Sequence, residues 1–102
     1  MAKVHVIARF MARDGRGNQL KALLEGMLIP TRAELGCESY ELYESNSNGR
    51  FYLVEEWESQ AALDRHVATP HFERLKKTGA ELVEEPFEVN IITRVLTDAA
   101  AA

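Results

Sequence analysis

"CESYELYESNSNGRFYLVEEWE", Cys37 to Glu58, decides the architecture of this chain. Arg50–Glu58 is rich in aromatic and β-branched residues, which suit a pleated, half-buried surface. Cys37–Ser45 reads as its partner strand. Between them "NSNG", Asn46–Gly49, is a turn cluster of hairpin length. The stretch therefore predicts two adjacent antiparallel strands in the middle of the sequence.

On the N-terminal side, "KVHVIARFMA", Lys3–Ala12, alternates at period two. Val4, Val6, Ala8 and Phe10 line one face, and His5, Ile7, Arg9 and Met11 line the other. "RDGRG", Arg13–Gly17, is a turn. A helix of roughly 18–20 residues is expected next, because Leu20, Leu23, Leu24, Met27, Leu28 and Leu35 recur at three- and four-residue spacing. Pro30 falls inside it and predicts a kink, and Gly36 is expected to close it.

On the C-terminal side, Ser59 is a good N-cap for "QAALDRHVA". Thr69-Pro70 ends that helix, since the residue before proline is pushed out of the α region. Thr69 then caps a second helix, "PHFERLKKT", with Pro70 at its first position and Gly79 as the expected end. "PFEVNIITRVL", Pro86–Leu96, reads as the last strand. The order is β-α-β-β-α-β with the second helix broken, an α+β, ferredoxin-like arrangement with an antiparallel sheet. Residues 1–96 are expected to form one domain, and 97–102, "TDAAAA", a flexible tail.

Composition bounds the function. The chain has 102 residues and a net charge of -4, with 46% hydrophobic and 27% charged residues. Its dispersed acidic residues disfavour nucleic acid, which requires a clustered basic surface. No apolar run reads as a membrane span and no signal-peptide pattern opens the chain, so a cytoplasmic location is the default expectation. Cys37 is the only cysteine. No internal disulfide is possible, and the thiol reads as a small inert hydrophobe.

The sheet exposes apolar and aromatic residues on both faces, and helices cover only one. A second copy packed sheet to sheet is expected on the other, giving a homodimer.

"HVATPHF", His66–Phe72, holds two of the chain's three histidines. On one continuous helix they would point about 140° apart, and no three-ligand motif accompanies them, so no metal site is expected. His66 shares a helical face with Leu63 and Val67 and reads as buried. Its place near a helix C-terminus favours the charged form. Trp57 shares a strand face with Phe51, Leu53 and Glu55. If that face is buried, Glu55 must be paired, neutral or functional, with Arg9 and Arg94 as candidate partners.

"ELGCESYELYES" (Glu34–Ser45) and "RFYLVEEWESQAALDRHVATPHF" (Arg50–Phe72) together resemble the antibiotic biosynthesis monooxygenase family, including its quinol monooxygenase-like small proteins. The resemblance rests on Gly36-Cys37, Tyr40-x-Leu42-Tyr43, Glu56-Trp57, Ser59, Ala62-Leu63, His66 and Thr69-Pro70-His71-Phe72, and spans roughly Val4 to Val95. It implies a dimeric α+β barrel and oxidation of a small quinol or phenolic substrate by dioxygen, with no cofactor. It implies His66 as base or oxyanion partner and Trp57 as a pocket wall, both catalytic. It implies Tyr40, Glu55, His71, Phe72 and Arg9 as substrate contacts. Haem-degrading relatives carry an asparagine on the first strand, where this chain offers His5 and Arg9. An isomerase of a phosphorylated diketone would need a basic cluster that the sequence does not show. A non-catalytic dimeric domain binding a small molecule is the alternative of a different class.

Overall fold

The computed structural model describes residues 2–46 and 49–96. The elements are β1 Val4–Met11, α1 Gly17–Glu25, α2 Leu28–Arg32, β2 Cys37–Glu44, β3 Arg50–Trp57, α3 Gln60–Val67, α4 Pro70–Leu82 and β4 Glu88–Ile92. The strands form one antiparallel sheet in the order β2-β3-β1-β4. This is the ferredoxin-like α+β arrangement that the central hairpin predicted. The expected tail, 97–102, and residues 47 and 48 of the hairpin turn lie outside the described residues.

Alternation along the strands sorts the sheet into two faces. Val6 pairs with Glu55, Ala8 with Leu53 and Phe10 with Phe51, all on the buried side. They form one core with Tyr40 and Trp57 and with Leu20, Leu24, Met27, Ala62, Leu63, Leu75 and Leu82 from the helices. The opposite face carries half-buried Ile7, Met11 and Tyr52 together with exposed Tyr43, Val54 and Ile92. No helix among the described residues is long and apolar enough to cross a membrane.

The helical boundaries correct three sequence expectations. The first helix is not one helix kinked at Pro30. It breaks at Gly26–Met27, and Pro30 sits in the first turn of the short α2. Backbone N–H groups there have no intrahelical acceptor, so a missing N–H costs little. The chain has already left α2 at Ala33, which puts Glu34 and Leu35 in the turn to β2 and leaves Leu35 79% exposed. Gly36 serves that turn rather than closing a long helix. Its φ is 90°, and a Cβ there would stand 2.6 Å from that of Ala62.

Gly79 does not end α4, which continues to Leu82. The glycine provides space, since a Cβ would meet Phe87 Cζ at 2.6 Å. Finally, β4 is shorter than Pro86–Leu96, because only His5–Arg9 of β1 pairs with it.

The Ser59 and Thr69 caps are as expected. Ser59 Oγ accepts the Ala62 N–H at 3.2 Å. Thr69 Oγ1 accepts from the Phe72 N–H at 3.2 Å and donates to the His66 carbonyl at 2.7 Å. One side chain thus ties the end of α3 to the start of α4 and fixes the bend between the two histidines.

Candidate functional site

The bend turns both histidines onto one carboxylate. His66 Nδ1 lies 2.8 Å from Glu34 Oε2, and His71 Nε2 lies 2.6 Å from the same oxygen. His66 is 2% exposed. Spacing along a continuous helix placed these rings apart. The Thr69-Pro70 break removes that constraint, and the third residue comes from the α2–β2 turn, 32 positions before His66. Glu34 escaped the sequence reading because the turn was taken for helix. The available signal was Pro30, which fits the first turn of a new, short helix as well as a kink in a long one.

The His66 ring is held by aromatic neighbours. Trp57 packs against it at 4.6 Å between centroids, Phe72 at 5.1 Å and Tyr40 at 5.7 Å. Burial lowers the His66 pKa, against the opposing effect of its hydrogen bond to Glu34. The helix C-terminus was expected to favour the charged ring; desolvation outweighs it. If Glu34 accepts at Nδ1, that nitrogen carries the hydrogen and Nε2 carries the lone pair. Among the described residues, Nε2 has no hydrogen-bond partner.

His66 lines a small apolar cavity of ≈ 50 Å³ with Tyr40, Glu55, Phe72, Phe87 and Val89. Glu55 lies on the buried face, cross-strand from Tyr40. Its partner is the Trp57 indole N–H, which donates to Oε1 at 2.9 Å, rather than Arg9 or Arg94. Burial raises the Glu55 carboxyl to about 7; the Trp57 bond opposes this and the charge of Glu34 adds to it. Burial also pushes the Tyr40 phenol up, reinforced by Glu55. The Cys37 thiol is raised to about 11 by burial and then by Glu34, which keeps it in the thiol form at neutral pH.

Of the residues singled out from sequence, Tyr40, Glu55, His66 and Phe72 meet at this cavity. Trp57 is fully buried behind His66 and does not line it. His71 joins through Glu34. Arg9 is not part of the site. It lies on the opposite face of the sheet, bonded to Glu88 at 3.0 Å and near Glu85 at 3.5 Å. The strand alternation that places Ala8 and Phe10 inside excludes Arg9 by itself. Arg94 lies at a separate surface hollow with His5 and Glu56.

Comparison with known proteins agrees with this fold. The family model for antibiotic biosynthesis monooxygenase matches residues 3–78. A Mycobacterium tuberculosis protein named "Putative monooxygenase Rv0793" is 45% identical over 89 residues, covering 87% of this chain and 88% of the relative. The solved structure of Rv0793 matches with a TM-score of 0.88 at 41% identity, covering 95% of this chain and 99% of that one. The structure of PA3566 from Pseudomonas aeruginosa matches with a TM-score of 0.86 at 30% identity, covering 94% and 97%. With the family model spanning three of its four strands and both caps, this chain belongs to the antibiotic biosynthesis monooxygenase family.

Proposed function

We propose that the protein is a monooxygenase that oxidises a small quinol or phenolic substrate with dioxygen and needs no bound cofactor. The observation that carries this reading is His66: a buried imidazole anchored at Nδ1 by Glu34, with its other nitrogen unpaired, beside an apolar cavity. A histidine oriented through one nitrogen is set to accept a proton at the other. Removing the phenolic proton makes the substrate electron-rich enough to reduce dioxygen. For a hydroquinone, one oxygen atom enters the ring to give a hydroxyquinone and the other leaves as water. The substrate supplies all four electrons, so the balance needs no external reductant. Glu55, protonated near neutrality, can donate a hydrogen bond to a developing oxyanion, as can the Tyr40 hydroxyl.

We also propose that two copies pair through the outer sheet face. Ile7, Met11, Tyr52 and Val54 on that face give an apolar surface suited to a second copy. Sedimentation velocity tests this; a monomer at micromolar concentration would refute it. The expected cytoplasmic location remains part of the proposal.

Oxygen uptake over a panel of quinols, with chelator present, tests the activity. Uptake with one or more quinols, lost in His66→Ala, is expected. Uptake unchanged in that variant would remove His66 from the mechanism. Tight quinol binding without oxygen uptake would instead select a small-molecule binding domain without turnover.

A further inference from the structure

We propose that Glu34, His66 and His71 form a binding site for a borderline divalent transition-metal ion of the zinc class. A ligand atom from each of the three residues lies within 4.8 Å of the other two. Two imidazole nitrogens and one carboxylate oxygen are the donor set that zinc and its neighbours take, leaving positions for water. Magnesium and calcium prefer all-oxygen shells.

The geometry needs little adjustment. Bonds of about 2.0–2.1 Å in a tetrahedral shell set ligand atoms about 3.3 Å apart. The nitrogens now stand 2.8 and 2.6 Å from Glu34 Oε2, as hydrogen-bond partners. Small side-chain rotations would open the triangle. His71 and Glu34 are each 13% exposed, so the site has a solvent side for entry and for water ligands. Its frame is rigid, because Thr69 bonds both to the His66 carbonyl and to the Phe72 N–H.

The site shares His66 and Glu34 with the oxidation proposed above and would oppose it. A metal on Nδ1 of a neutral imidazole requires the hydrogen on Nε2. The nitrogen that the proposed oxidation uses as its base would then be a donor.

Titration of the metal-free full chain with Co²⁺, read by visible ligand-field absorption and by displacement with Zn²⁺, tests the site. One Co²⁺ per chain is expected, displaced by Zn²⁺ and not by Mg²⁺. His71→Ala and Glu34→Gln should each weaken binding by about tenfold or more. His5→Gln should not, because His5 is across the sheet, 3.6 Å from Glu56. Three outcomes would overturn the assignment: no saturable Co²⁺ binding by the wild-type chain, binding unchanged in folded His71→Ala, or binding lost in His5→Gln. The wild-type titration is decisive even if a variant fails to fold, and it requires no substrate.

Discussion

Glu55→Gln replaces a buried, titrating carboxyl with a neutral group of the same shape, and its effect should be read as a change in how stability depends on pH. Glu55 is 6% exposed, and burial raises its pKa from 4.5 to about 7. Between those values the folded chain holds a proton that the unfolded chain has released. Stability therefore falls as pH rises through this window and stops falling above about 7. At about 1.4 kcal/mol per pH unit, the displacement corresponds to about 3 kcal/mol. Glutamine lacks this titration and still offers an acceptor to the Trp57 N–H.

The quantity to measure is the stability difference between variant and wild type at pH 5 and at pH 8. It should move by about 2.5 kcal/mol in favour of the variant, because pH 5 already lies above the unfolded pKa. Taking the difference matters because His66 works in the opposite sense. Its pKa is lowered by burial, so the folded chain resists a proton that the unfolded chain takes up below 6.5, and stability is lost as pH falls through that range. That contribution is common to both chains and cancels. Urea unfolding at fixed protein concentration, followed by fluorescence of the single, fully buried Trp57, supplies the data. Parallel pH profiles within about 0.5 kcal/mol would refute the reasoning. They would mean that Glu55 is ionised in the folded protein and better solvated than its position on the buried sheet face implies.

Three further substitutions test the frame around the site. Gly36→Ala places a Cβ at a φ of 90° and 2.6 Å from the Ala62 Cβ, and should cost about 1–3 kcal/mol in urea unfolding. Thr69→Ala removes the α4 cap and should cost about 1 kcal/mol, with Thr69→Ser recovering most of it. Phe87→Ala removes a cavity wall packed 4.7 Å from Phe10; it should cost about 2 kcal/mol in the same unfolding measurement. By calorimetry it should also bind small phenols more tightly than the wild type does.

The sheet was legible because its signal is local. Alternation in Lys3–Ala12 and the hairpin around Asn46–Gly49 specify the strands, and Ser59 and Thr69 specify the helix starts. The site was legible only where it lies on those elements: Tyr40, Glu55, His66 and Phe72 are inward-facing positions of strands or helices. Glu34 was not, because its role is created by a turn brought against a distant helix junction. Reading Pro30 as a kink hid that turn, since a proline is equally at home in the first turn of a new helix. Arg9 shows the reverse error. Its chemistry attracted a role that its strand parity excluded.

The cavity and the proposed oxidation together specify which wall must move. At ≈ 50 Å³ the cavity can hold dioxygen or a water molecule, whose share of liquid volume is about 30 Å³, but not a phenol. Its walls differ in how firmly they are held. Tyr40, Glu55 and His66 are buried and tied into the core or to Glu34. Phe72 is fixed at its backbone by Thr69. Val89 belongs to β4, an edge strand that pairs only with β1 and whose residues are all exposed. Phe87 immediately precedes that strand. Displacing Phe87 and Val89 therefore leaves the polar wall of Tyr40, Glu55 and His66 in place. Substrate admitted from the β4 side would meet those three groups directly, and this is why Phe87→Ala, rather than a change at Phe72, is the substitution expected to open the site.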